Sequence, residues 1–228
     1  MIRQLDALGY WFNDLAPSAY PRPQALVGRW QPARRAAVVR YLRAGPRFES
    51  YAGTSFCRFA CGVPSRQMGH RDRSDGVWVW PEGLAHYVEA HAVRLPERFI
   101  RHAVAHRERL ATIDLGRERL GRIDDTRWVA WGRARGAAVA LSPAWAVPGW
   151  DLQHELERRL ELQVTPGHVL WQRRSRVVLW RAATGDAVFR LSSGALAIVR
   201  LEPRRRGAPP LRTRLLAGWH AWPAARRG

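Results

Sequence analysis

Four residues carry the chemistry most worth locating. Cys57 and Cys61 have three residues between them, and His86 and His91 have four. Both spacings fall within the C-x2–4-C and H-x3–5-H ranges of structural zinc sites, where thiolate and imidazole donors close a tetrahedron. The 24 residues between the two pairs exceed the gap of a compact finger, and His70 and Asp72 lie within it as substitute donors. A continuous helix also sets positions 86 and 91 about 140° apart, which opposes a shared ion unless the helix ends near Glu89. The competing readings are two buried thiols with a core-edge and a helix-terminal histidine, or a reversible redox pair.

Three further constellations are weaker. His102 and His106 stand four apart on an expected helix, but no Glu follows the first as in a zinc protease, and Arg101, Arg107 and Arg109 crowd them with positive charge. Asp72, Asp75 and Glu82 can be arranged for acid–base work, yet Asp75-Gly76 is an ordinary turn signal and Glu82 falls where the first turn of a helix favours acids. Arg173, Arg174 and Arg176 lie beside Trp171 and Trp180, and Arg204, Arg205 and Arg206 form a run. Arginine grips phosphate in bidentate fashion and aromatic rings stack bases, so these six arginines are the candidate polyanion contacts. No nucleophile elbow, dinucleotide-binding glycine fingerprint or helix-turn-helix signature is evident.

Composition narrows the classes. All 38 basic residues are arginine, because the 228-residue chain has no lysine. A phosphate-binding loop of the Walker type and Schiff-base chemistry are thereby excluded. The net charge of +19 comes from a shortage of acids: residues 1–136 hold 23 Arg and 13 acids (+10), and residues 137–228 hold 15 Arg and 6 acids (+9). Basicity shared by both halves reads as a basic surface more than as one dedicated groove. With 46% apolar residues and 12 Trp there is ample material for a core. Two cysteines make no disulfide framework. Neither a signal peptide nor a membrane span is evident, so the expectation is a cytoplasmic protein with no membrane association.

The elements that must position these residues divide at residues 137–150, a charge-free Ala/Pro stretch read as a linker. Residues 1–136 read as a mainly helical domain with irregular aromatic-rich loops. Its helices are expected at Pro32–Arg43, Pro81–His91, Glu97–Arg109 and after Asp124-Asp125. Residues 151–228 read as a small α+β domain: Leu152, Leu156 and Leu160 mark a helix, and strands are expected at Val177–Trp180, Ala187–Leu191 and Ala195–Leu201. A terminal helical turn is expected around Leu215–Trp222. The fold class is therefore α+β, with a helix packed on a three-stranded antiparallel sheet in the second half.

Two resemblances accompany this division. Cys57-Arg58-Phe59-Ala60-Cys61-Gly62, the run Asp75-Gly76-Val77-Trp78-Val79-Trp80-Pro81-Glu82-Gly83-Leu84-Ala85-His86-Tyr87-Val88, and His91, Val93, Leu95 and Pro96 resemble the core motif of an uncharacterised bacterial family, over roughly residues 8–135. Gly167-His168-Val169-Leu170, Asp186-Ala187-Val188-Phe189 and Gly194-Ala195-Leu196-Ala197-Ile198-Val199 resemble a second such family of small stand-alone proteins, over residues 152–222. That pattern has paired acids before the strand and a His near Arg200, whereas this chain has only Asp186 and no such His. Neither resemblance implies an activity.

The functional expectation is a non-catalytic binding protein of bacterial type that engages a protein partner, in an adaptor, accessory or immunity-like role, with zinc as the candidate cofactor. A nucleic-acid-binding protein that uses its Arg/Trp surface is the alternative, and a hydrolase-type enzyme stands third.

Overall fold

The computed structural model describes residues 3–106, 120–201 and 211–222. The chain forms two compact units: residues 1–11 with 20–138, and residues 12–19 with 139–228.

The first unit is built on a five-stranded mixed sheet, which corrects the expectation of a mainly helical domain. Strand β1 (Arg3–Ala7) lies between β4 (Trp78–Pro81) and β5 (Leu120–Asp124) and runs parallel to both. Strands β2 (Arg47–Ser50) and β3 (Arg71–Ser74) extend the sheet beyond β4 as an antiparallel meander. The strands have only four or five residues each, and β3 reads Arg-Asp-Arg-Ser, which carries no apolar alternation for a sequence pattern to detect. Parallel pairing also joins segments that are far apart in the chain, which no local signal reports.

Helices α1 (Pro32–Ala44), α3 (Leu84–His91) and α4 (Glu97–Ala105) share one core; the single turn α2 (Ser65–Met68) precedes β3, and α5 (Thr126–Ala134) follows β5. Pro32 and Pro96 stand at the N-terminal boundaries of α1 and α4, where the missing N–H breaks no helical bond. Trp78 and Trp80 turn into the helical core with Tyr41, Leu42, Leu84, Val88, Phe99 and Ile100. Val79, between them, packs with Leu5 and Ala7 on the other side of the sheet. The turn from β3 to β4 needs Gly76, whose φ of +77° suits a residue without a Cβ.

The second unit holds four antiparallel strands, not three, in the order β6 (Ser175–Arg181), β7 (Asp186–Leu191), β8 (Leu196–Arg200), β9 (Thr213–Leu216). The fourth strand takes residues expected to begin a helical turn; the turn itself is a short 3-10 segment at Trp219–Ala221. Helix α6 (Trp150–Gln163) lays Leu156 and Leu160 on Val177, Ala187, Phe189, Ala197 and Val199. The opposite face, with Val178, Val188 and Leu196, is covered by Phe12, Val139 and Trp219. Because both faces are covered, β7 reads as an almost unbroken buried run. No described helix is long and apolar enough to cross a membrane.

Candidate metal centre

Residues 51–63 contribute one buried side chain, Cys57, with Phe59 and Val63 half-buried against the same core, so apolar burial alone holds this loop weakly. Polar anchors add to it. Tyr87 of α3 accepts a hydrogen bond from the Arg58 N–H (2.9 Å) and donates one to the Phe56 carbonyl (3.2 Å). Burial raises the Tyr87 pKa to about 12, so its hydroxyl stays protonated and can act as donor and acceptor together. Between the cysteines the chain turns tightly: Ala60 N–H bonds the Cys57 carbonyl (3.1 Å), and Ala60 holds a left-handed φ of +50°. Such a conformation in a residue with a Cβ is strained and marks a loop held by something else.

The four cysteine and histidine residues converge. Their donor atoms all lie within 4.8 Å of one another. Cys57 Sγ stands 3.3 Å from His91 Nε2, Cys61 Sγ stands 3.4 Å from His86 Nε2, and the two Nε2 atoms are 3.2 Å apart. A tetrahedral zinc with Zn–S of about 2.3 Å and Zn–N of about 2.0–2.1 Å has S–N edges of about 3.5 Å and an N–N edge of about 3.3 Å. Those three distances match edges of a Cys2His2 tetrahedron, and all four donors stay within 4.8 Å of one another. The cluster is a site that can hold a metal ion.

Its surroundings fit a cation. Burial pushes the Cys57 thiol up, while the N–H groups of Phe59 and Cys61 pull it back by bonding to sulfur. Sulfur that receives backbone N–H bonds is a recurrent support for metal thiolates. Burial lowers the pKa of His86, to which His91 adds, and burial lowers that of His91 itself, so both rings favour the neutral form that ligates. Phe59 stacks on His91 with ring centres 4.0 Å apart and planes within 5°, which sets the ring's orientation.

The angular objection to His86 and His91 dissolves in the structure. The helix continues to His91, and Ala92 closes it with a left-handed φ of +52°. The two rings nevertheless meet, with centres 4.9 Å and Nε2 atoms 3.2 Å apart, and each lies within 3.4 Å of a cysteine sulfur. The spacing of four residues is accommodated by side-chain reach, not by an early helix end.

The remaining candidates are spoken for. Asp75, 7% exposed, accepts from the N–H groups of Val77 (2.9 Å) and Trp78 (2.6 Å) through Oδ1, and from Tyr41 and His102 (2.9 Å) through Oδ2. Burial alone would raise its pKa; the His102 hydrogen bond, with those from Trp78, Tyr41 and Val77, outweighs burial and holds it below the usual carboxylate range. His102 is thus engaged with a carboxylate, and His106 stacks on it and bonds its carbonyl. Asp72, 3% exposed, accepts from Tyr10 (2.6 Å) and Tyr51 (2.8 Å), but here burial prevails and the pKa is raised. Glu82 pairs with Arg73 at 2.6 Å.

In the second unit, Arg173 and Arg174 line a cleft beside Trp171, while Trp180 packs toward the core under α6. Arg176 pairs in register with Arg190, a partner that sequence spacing alone did not single out. Arg204, Arg205, Arg206, Arg107 and Arg109 lie outside the described residues. Asp186 accepts from Arg181, Thr184 (2.6 Å) and Arg200 (3.0 Å), and these bonds hold its pKa low against the opposing effect of burial. No family model, curated protein or solved structure matches the chain.

Proposed function

We propose that this chain is a zinc-stapled, non-catalytic binding protein, and that the stapled loop presents a surface for a protein partner. The convergence of Cys57, Cys61, His86 and His91 carries this reading. Four protein donors fill a tetrahedral ion and leave no position for substrate or activated water, which is the arrangement of structural zinc rather than catalytic zinc. The ion supplies loop 51–63 with the ordering energy that its apolar side chains do not.

What the loop displays suits recognition. Tyr51 and Phe56 are 50% and 54% exposed, and the Arg58 guanidinium lies 3.9 Å above the Phe56 ring. Aromatic and arginine side chains are the types that dominate interface energetics, and a pre-ordered loop loses less entropy on binding. The test is metal content of the chain purified without added metal. One zinc per chain, removed by a strong chelator with a fall in melting temperature, is expected. Protein free of metal that melts identically with and without chelator overturns the reading.

A further inference from the structure

The second unit contains a cleft that the zinc-stapled loop does not explain. It has a volume of about 550 Å³ and lies between the C-terminal half of α6 and the chain leading into β6. Leu160 and Leu170 form its floor, both nearly buried. Trp171 stands on its rim 41% exposed, and among the described residues no aromatic ring packs against it. Gln172, next to it, holds a left-handed φ of +56°, a strained conformation for a residue with a Cβ. Glu161 forms one wall and Arg173 and Arg174 the other.

Among the described residues Glu161, Arg173 and Arg174 make no side-chain ion pair, whereas Glu157, which also lines the cleft, accepts from the Val177 N–H (3.1 Å) and from Gln153 (3.2 Å). The acids of residues 137–228 are concentrated on α6, which carries Asp151, Glu155, Glu157 and Glu161, four of the six. The arginines gather at the start of β6 and the end of β7. Arg176 and Arg190 are direct cross-strand partners, a pairing of like charge that destabilises a sheet unless an anion relieves it. The acid that approaches Arg190 is the half-exposed Asp14, at 3.8 Å, and Arg190 Nε is buried with no hydrogen-bond partner among the described residues. Along β6 the side chains alternate, so Ser175 faces the cleft and Arg176 the reverse side. Strand β6 is an edge strand of the four-stranded sheet; Ala146 bridges it at Trp180, and among the described residues no strand pairs with its outer side toward Ser175.

We propose that this edge binds single-stranded nucleic acid. One base enters the cleft, stacks on Trp171 over the Leu160–Leu170 floor, and donates an exocyclic amino hydrogen to Glu161. The adjoining phosphates lie on Arg173 and Arg174, and the strand passes the β6 edge to the Arg176–Arg190 pair. A planar apolar slot with one carboxylate and flanking guanidinium groups matches a nucleotide: a π-face to stack, an amino edge to accept from, and phosphate to bind bidentately. Glu161 favours adenine and cytosine over uracil, which has no amino group. A duplex hides both the base face and the amino edge, so it is refused. This site belongs to the second unit and is independent of the metal-stapled loop.

The test is fluorescence anisotropy of the full chain with labelled 12-mers of rA, rC and rU, a 12-base-pair duplex, and unlabelled AMP as competitor. The expected result is binding of rA and rC about tenfold tighter than rU, no comparable duplex binding, and weak competition by AMP. With four phosphate contacts on a single strand, log K falls against log salt with a slope of about −3. Trp171→Ala weakens rA by about tenfold or more while Trp171→Phe, which keeps a stacking face, restores most of it. The pair Arg176→Ala/Arg190→Ala weakens every single strand alike and flattens the salt slope by about 1.4. Duplex binding equal to rA, AMP binding as tight as the 12-mer, or a Trp171→Ala protein of unchanged melting temperature that binds rA normally overturns the proposal.

Discussion

The Nε2 atoms of His86 and His91 stand 3.2 Å apart although the residues are five positions apart on one helix. That separation matches the N–N edge of a tetrahedral zinc, and either a bound ion or an N–H···N hydrogen bond makes such closeness favourable for two basic nitrogens. His91→Ala removes one donor and the ring on which Phe59 stacks. The loss falls on the loop, because the core of the first unit does not depend on it. We expect loss of metal, a fall in melting temperature of about 5–10 °C, corresponding to about 2–3 kcal/mol for a chain of this size, and rapid tryptic cleavage at Arg58. Calorimetry and limited proteolysis read these effects.

Asp72 and Asp75 are three residues apart, both buried, and are expected to respond oppositely to neutralisation. The pKa of Asp75 is lowered, so its ionised form contributes stability that is present above the ordinary carboxylate pKa and is lost as pH falls through the folded value. Asp75→Asn removes a charged acceptor from Tyr41, His102 and two backbone N–H groups, and should cost about 3 kcal/mol at pH 7. The deficit should shrink as pH drops below about 4. Urea midpoints measured across pH check this.

The pKa of Asp72 is raised, so the sign reverses: its stability is full below the ordinary carboxylate pKa and is lost as pH rises through the folded value. An Asn oxygen at this position still accepts from Tyr10 and Tyr51. Asp72→Asn is expected to melt within about 0.5 kcal/mol of the native chain at pH 7, or above it. A loss as large as that of Asp75→Asn would contradict this account of the pair.

The proposed partner surface can be separated from the proposed staple. Tyr51→Ala combined with Phe56→Ala removes exposed rings that support no core cluster, although Tyr51 also gives up its hydrogen bond to Asp72. The zinc content of this variant should equal that of the native chain, and cross-links from residues 51–63 to a partner protein in the native cell should disappear. Cross-links that persist would place the partner elsewhere.

Some of this was legible in the residues. The cysteine and histidine pairs could be named from spacing alone, α1 and α4 follow from proline starts, α5 and α6 from aspartates at their starts, and α3 from the apolar spacing of Leu84 and Val88. The sheet of the first unit was not legible. Its β3 is Arg-Asp-Arg-Ser, and its β1 finds its neighbours about 70 and 120 residues away, so pairing energy rather than local propensity makes them strands. Pro81, which resembles a helix start, closes β4 instead, and the helix begins at Leu84. At the centre itself, spacing could not show that Tyr87 pins the cysteine loop or that Phe59 orients His91. Both contacts depend on where the loop crosses the helix. Asp186 shows the same limit: a lone acid by sequence, it joins Arg181, Thr184 and Arg200 only once β7 pairs with β6 and β8.

The most direct test of the centre is cobalt(II) titration of metal-free protein, followed by visible absorption. A tetrahedral site with two thiolates and two imidazoles gives intense d–d bands and a thiolate-to-cobalt charge-transfer band, saturating at one ion per chain and displaced by zinc. Cys61→Ser should weaken the charge-transfer band without unfolding the protein. A weak, octahedral-type spectrum, or an intense spectrum that survives in Cys57→Ser/Cys61→Ser, would contradict the centre described for Cys57, Cys61, His86 and His91.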